Sequence, residues 1–208
     1  MQLNFTNLIL AKNDNEVKEY ISGLLKRVDL PPYTAKAYPC QLSGGMKQRA
    51  ILAMAVALNP ELLIADEPTS ALDVVTQRKI LELLTNLRDE INLSIIFITH
   101  DIALLAEIAD RVGIMYAGKI VEVRSVYDIF KNPLHPYTQI LISATPSLKS
   151  RKLPKGLPGL PPDLRSPPRG CRLNPRCPYV TDLCKRKEPM LVNVKPDEYV
   201  ACHLYEKR

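Results

Sequence analysis

Two short, uninterrupted apolar runs set what this chain can fold into. They are Leu62 to Ala65 and Ile95 to Ile98, followed by Asp66-Glu67 and Thr99-His100. Runs of this length with no polar interruption predict strands buried on both faces, as in a parallel sheet. Between them, Val74 to Asp89 is predicted to be a helix. Strand alternating with helix is the pattern of an α/β doubly wound sheet. Such sheets bind ligands beyond the C-terminal ends of their strands, where Asp66, Glu67 and His100 fall.

The flanking segments extend the pattern. Val17, Ile21, Leu24, Leu25 and Val28 recur at helical spacing over residues 14 to 29, and Pro31-Pro32 ends that helix. Ser43 is a good N-cap for a helix reaching about Leu58, where Asn59-Pro60 stops it. Ile102 to Ala109 is predicted as a further short helix. Composition then changes: residues 131 to 170 hold nine of the 18 prolines, including Pro161-Pro162 and Pro167-Pro168. Such a segment is expected to be an extended connector without helices. A cysteine-bearing tail, 171 to 208, follows.

Bulk properties narrow the class. The 208 residues suffice for one substantial domain and an appendage, and a hydrophobic share of 46% supports a buried core without any Trp. The net charge of +6 gathers near the tail, with no basic stretch interleaved with aromatics, so no nucleic-acid partner is expected. Met1 to Phe5 lacks the basic start and apolar run of a secretory signal. No apolar stretch approaches the roughly 18 residues of a membrane span. A reducing compartment is expected, and with it five free cysteines rather than disulfides.

Ser43-Gly44-Gly45 opens a helix in a way that suits phosphate. Two glycines let the backbone approach an anion closely, and the helix start offers free N–H groups and the positive dipole end.

Taken together, Leu42-Ser43-Gly44-Gly45-Met46-Lys47-Gln48, Leu62-Leu63-Ile64-Ala65-Asp66-Glu67-Pro68 and Thr99-His100-Asp101 resemble the signature, Walker B and switch motifs of ATP-binding-cassette ATPases. Ser70 to Asp73 resembles the D-loop. The resemblance implies a P-loop nucleotide-binding fold, ATP and Mg²⁺. Asp66 would hold Mg²⁺, Glu67 would polarise the attacking water, and His100 would contact the γ-phosphate. Ser43, Gly44, Gly45, Gln48 and Asp73 would serve nucleotide binding, the signature acting on ATP held by the opposite subunit. Cys40, just before the signature, is read as a small packed residue.

One pattern misleads. Gly113-Ile114-Met115-Tyr116-Ala117-Gly118-Lys119 fits seven places of the phosphate-loop pattern, but Ile120 has no hydroxyl for Mg²⁺. Strand-like flanks predict a β-hairpin turning at Ala117-Gly118. No phosphate loop or glutamine lid precedes Ser43, so the chain is expected to be N-terminally truncated, with residues 1–42 a helical-subdomain remnant and 43–130 the signature helix and catalytic core. Alone it is expected to bind ATP weakly and not turn it over.

Cys171, Cys177, Cys184 and Cys202 are separated by five, six and 17 residues. A tail this short cannot bury enough apolar surface to fold unaided, and a metal centre would supply the missing stability. The spacings are wider than the usual zinc pairs and are tolerated by a four-iron cluster, so cluster, zinc and unligated thiols stay open. Arg172, Arg176, Lys185, Arg186 and Lys187 would offset a cluster's charge. His203 is read as a bystander. Asn132-Pro133-Leu134-His135-Pro136-Tyr137-Thr138, Ala144-Thr145-Pro146 and the segment ending Ala201-Cys202-His203-Leu204 resemble the C-terminal extension of oligopeptide/dipeptide importer ATPases, some of which carry a 4Fe–4S cluster.

That resemblance implies an ATPase subunit energising peptide import from the cytoplasmic face of the membrane. Its partners would be a second ATPase subunit, two transmembrane permeases and, indirectly, an extracytoplasmic substrate-binding protein. The alternative is a non-catalytic module that completes another subunit's ATP site and carries a metal cluster.

Overall fold

The computed structural model describes residues 13–145 and 156–206. The readings of Met1 to Phe5 and of Pro146 lie outside them. The chain divides into two compact units, Met1–His100 and Asp101–Arg208. No helix among the described residues is long and apolar enough to cross a membrane.

In the first unit, α1 (Asp14–Arg27) starts where the Asn13 side chain accepts from the amides of Asn15 and Glu16. Helix α2 (Gly44–Val56) is capped by Ser43. Strand β1 (Leu62–Asp66) leads through a turn to α3 (Val74–Ile91), which returns the chain to β2 (Ser94–Ile98). The two strands pair in parallel, Leu62 opposite Ser94 and Asp66 opposite Ile98. Asn92, in the left-handed region, ends α3 and sends its amide back to the Arg88 carbonyl. The core joins one face of each element: Leu24, Leu25 and Val28 of α1 and its end, Ala53 and Val56 of α2, Leu63 of β1, and Ile80, Leu84 and Leu87 of α3.

The strands depart from expectation in one respect. Only one face of β1 is covered: Leu63 and Ala65 are buried, whereas Leu62 and Ile64 keep 50% and 62% of their surface. Ile96 and Ile98 of β2 are open likewise. The parallel sheet has two strands among the described residues, and its second face is not buried by them.

The second unit starts with α4 (Ile102–Ile108) and the antiparallel pair β3 (Arg111–Tyr116) and β4 (Lys119–Ser125). Ala117 and Gly118 both take positive φ, as a two-residue hairpin turn requires. The phosphate-loop look-alike is therefore a hairpin, as its flanks predicted. Helices α5 (Val126–Lys131) and α6 (Pro136–Ala144) follow, then α7 (Asp182–Arg186), β5 (Val192–Lys195) and β6 (Glu198–Val200).

Two expectations fail here. The proline-rich stretch from 131 holds a helix, α6, because Pro136 sits at its first position, where a missing N–H costs nothing. The tail is also not a separate body. Its strand β6 inserts between β4 and β5, giving the sheet order β3-β4-β6-β5. Residues expected in the catalytic core and in the tail thus share one sheet. Val112, Ile114, Tyr116, Val121, Ile129 and Leu173 form its core.

Candidate functional site

The end of β1 is shaped by a backbone excursion. Glu67 takes φ 44°, a left-handed conformation that a residue with a side chain seldom adopts. Its amide donates to the Ile98 carbonyl at 2.9 Å, which ties the turn to β2. Its carbonyl accepts from the Ser70 amide and hydroxyl at 3.1 and 2.9 Å. The strained turn swings the Glu67 side chain toward the segment that follows β2. His100 Nδ1 lies 3.0 Å from Glu67 Oε1. Both side chains are exposed, and Asp66 stands one residue earlier at the strand tip.

The turn from Pro68 to Asp73 is pinned from the start of α3. Gln77 donates to the Thr69 carbonyl at 3.1 Å, and the buried Thr69 closes the loop onto the core. Asp73 is the N-cap of α3, accepting from the Thr76 amide at 2.9 Å and the Thr76 hydroxyl at 2.6 Å. These bonds, the hydroxyl's first, hold the Asp73 carboxyl below its ordinary value.

At the signature, the Ser43 hydroxyl accepts from the Met46 amide at 3.3 Å. The hydroxyl keeps its own proton and can also donate. As in any helix, the first amides have no intrahelical acceptor and can serve an anion. The glycines have a second reason to be there. A Cβ on Gly45 would sit 2.7 Å from Thr76 Cγ2, and one on Gly44 would sit 3.4 Å from Leu72 Cδ2. The start of α2 thus packs directly on the turn that carries Asp73. Gln48 follows on α2, half-buried. Cys40 is exposed, not packed: it lies in a short 3₁₀ turn (Pro39–Gln41) that turns its side chain to solvent.

A second candidate site lies in the second unit. Cys171, Cys177, Cys184 and Cys202 are free thiols lining one cavity of about 560 Å³. Among the described residues, no three His, Cys, Asp or Glu side chains converge closely enough to hold a single metal ion. Burial pushes the Cys171 and Cys177 thiols up, and Cys202 up to about 11, with the neighbouring cysteines adding to the effect. A cationic centre would reverse that, since metal binding deprotonates thiols.

The surroundings correct the charge argument made from sequence. Arg172 donates to the Ala117 carbonyl, and Arg176 to the carbonyls of Pro158 and Leu157 and to the Tyr116 hydroxyl. Lys185 pairs with Asp182 at 3.2 Å. These cations hold the loops together rather than face the cavity as free charges. His203 has both ring nitrogens engaged, Nε2 with the Lys187 carbonyl and Nδ1 with Glu206, each at 2.9 Å. Neither is available as a ligand.

Sequence reasoning missed the buried charges of this unit. Arg124 donates to Glu198 at 2.8 Å and to the Asn132 carbonyl at 2.6 Å. Glu122, fully buried, accepts from the amides of Leu134 and His135 at 2.8 and 2.9 Å. His135, also buried, caps α6 by accepting from the Tyr137 amide. The signal was present: Glu122 and Arg124 alternate with Val121 and Val123 on the strand, and the partner segment follows within about a dozen residues.

Two family descriptions match this chain: ABC transporter over residues 2–70 and oligopeptide/dipeptide transporter, C-terminal region, over residues 121–184. The chain belongs to the oligopeptide/dipeptide branch of the ABC transporter ATP-binding family. Among its relatives, the dipeptide transport ATP-binding protein DppD of Caldanaerobacter subterraneus is 48% identical over 93% of this ABC chain and 60% of its own length. The oligopeptide transport ATP-binding protein AppF of Bacillus subtilis is 44% identical over 91% and 59%. This ABC chain thus spans about three-fifths of the length of the curated relatives it matches.

Solved structures agree on the fold. A component of the cbiONQ ABC transporter complex from Clostridium perfringens aligns at 29% identity and TM-score 0.54, covering 62% of this chain and 51% of that one. A dimeric ATP-binding cassette in a post-hydrolysis state, bound to ADP and Pi, aligns at 32% and 0.52, covering 60% and 54%. The fold is that of an ABC nucleotide-binding domain.

Proposed function

We propose that this chain is the ATP-handling subunit of an importer of oligopeptides or dipeptides, at work on the cytoplasmic face of the cell membrane. The observation that supports this best is the Glu67–His100 pair at the tips of two parallel strands, beside Asp66. In this reading Asp66 holds Mg²⁺ and Glu67 takes the proton of the attacking water. His100 orients Glu67 and reaches the γ-phosphate. Ser43, Gly44, Gly45 and Gln48 cap the phosphate of ATP on a second cassette subunit, and Asp73 holds the turn beside them. Two transmembrane permeases receive the movement, and an extracytoplasmic binding protein delivers the cargo.

The test is turnover in a mixture with an intact cassette subunit of the same importer. Ser43→Arg should lower ATP hydrolysis by the mixture, because a bulky cation would block the helix start from its partner's nucleotide. Unchanged hydrolysis would remove the signature from the mechanism.

A second reading rests on the start of α2, where Ser43 and Gly44 are exposed and could face another subunit's nucleotide. The chain would then complete its partner's site without turning over nucleotide itself. Glu67→Gln separates the two readings: it lowers hydrolysis only if this chain's own carboxylate does chemistry.

The four cysteines are proposed to hold a metal centre, a 4Fe–4S cluster ahead of zinc. When bound, it would cross-link the tail and could exchange an electron. Cys171, Cys177, Cys184 and Cys202 would be its ligands.

A further inference from the structure

Thr76 faces two ways. It is the third residue of α3, and it engages both oxygens of the Asp73 carboxylate. Its amide donates to Oδ1 at 2.9 Å and its hydroxyl to Oδ2 at 2.6 Å. At that distance from a carboxylate a hydroxyl is firmly held. The methyl hangs on the same tetrahedral carbon, so fixing the hydroxyl fixes the methyl as well. That methyl lies against Gly45, close enough that a Cβ there would be 2.7 Å from it.

The contact joins the start of α2 to the turn that carries Asp73. Beside it, Leu72 lies against Gly44 and packs on the core of the first unit. Gln77, the next residue of α3, donates to the Thr69 carbonyl at 3.1 Å. The turn after Glu67 is thus clamped to α3 by neighbouring residues, and α2 leans on the clamp through the Thr76 methyl. The absence of a side chain at Gly45 makes room for that methyl as well as for a phosphate.

We propose that Thr76 positions the signature: its methyl sets how far the Ser43–Gly45 corner stands out from the Asp73 turn. This rests on the reading that the corner caps ATP held by a second cassette subunit. Thr76 is a positioning residue, not a catalytic one, and it acts through Gly45. A misplacement of about 1 Å at such a corner can cost on the order of 10²-fold in rate without any change in the reacting groups.

The two γ atoms can be removed separately. Thr76→Ser keeps the bond to Asp73 and loses the methyl. Thr76→Val keeps a methyl toward Gly45 and loses the bond. Each full-length variant is mixed in saturating amount with an intact cassette subunit of the same importer. The ATP hydrolysis gained on mixing is read as kcat and KM per folded chain. Thr76→Ser should lower kcat about 10-fold with KM for ATP unchanged, since a contact made only in the reacting assembly shows in kcat. Thr76→Val should keep most of the parent's kcat. A role as helix cap alone ranks the two variants the other way, because only the Ser variant keeps the cap's hydroxyl bond.

Thr76→Ser with the parent's kcat, or Thr76→Val falling below Thr76→Ser, overturns the proposal. Ser43→Arg is the control for the reading beneath it. If Ser43→Arg leaves hydrolysis unchanged, that reading fails and the role of Thr76 falls with it. If Ser43→Arg lowers hydrolysis while the Thr76 variants give either overturning result, only the Thr76 proposal is lost.

Discussion

His100 Nδ1 sits 3.0 Å from Glu67 Oε1, joining the first residue after one parallel strand to the second residue after its neighbour. A carboxylate held this way is aimed before any substrate arrives. In the assembled complex, Glu67→Gln should cut ATP turnover by about 10²- to 10⁴-fold, the range for losing a general base. Nucleotide affinity should survive. His100→Ala should cost less, and the double variant should fall short of the product of the two, because one residue acts through the other. Phosphate release and nucleotide binding, measured side by side, check this.

Gly45 and Thr76 predict a rescue. Gly45→Ala puts a methyl 2.7 Å from Thr76 Cγ2, an overlap expected to cost about 1–3 kcal/mol despite alanine's better helix propensity. Thr76→Ser removes that methyl and keeps the hydroxyl bonded to Asp73. The pair together should be more stable than Gly45→Ala alone. Urea unfolding of the four proteins closes the cycle, and additive costs would show that the two positions do not meet.

Arg124 is the cation among buried acids. Arg124→Met leaves Glu122 and Glu198 without it, and a stranded buried charge costs about 3–5 kcal/mol. Loss of that size should lower the thermal midpoint of the second unit. A midpoint within a degree or two of the parent protein would mean that solvent reaches the network.

The buried His135 makes stability depend on pH with a definite sign. Its pKa falls from 6.5 to about 4 in the folded chain, so between these values the unfolded chain binds the extra proton. The contribution is complete above 6.5 and is lost as pH drops toward 4, amounting to roughly 3 kcal/mol there. His135→Asn should flatten the stability profile between about pH 7 and pH 5. An identical slope in both proteins would show that the ring gains its proton without opposing folding.

How legible was all this? The start of α2 was plain, because Ser43 is a short polar side chain placed to accept from the amides that follow; Asn13 and Asp73 cap α1 and α3 in the same way. The hairpin at Ala117-Gly118 was plain from its flanks. The site's acids and histidine could be placed at strand ends from apolar runs alone. Their mutual contact could not, since it depends on the left-handed turn at Glu67, and glutamate is not a residue that announces such a turn. The burial of both strand faces was over-read: apolar composition says what a face prefers, not what lies against it. The helix at Pro136–Ala144 was masked by counting prolines without asking where in a helix each would stand. For Arg124 and Glu122 the alternation along the strand was legible but not sufficient, because each is stable inside only through partners that lie elsewhere in the chain, Glu198 furthest away.

The order of strands β3-β4-β6-β5 has a consequence for synthesis. The neighbour that occupies the β4 flank comes from Glu198–Val200, and it leaves the ribosome long after the hairpin does. Until then the hairpin waits with a bare rim of amides and carbonyls, the kind of rim that recruits strangers. A nascent chain stalled or cut before Glu198 should therefore clump or call on chaperones, whereas one released a few residues later should not.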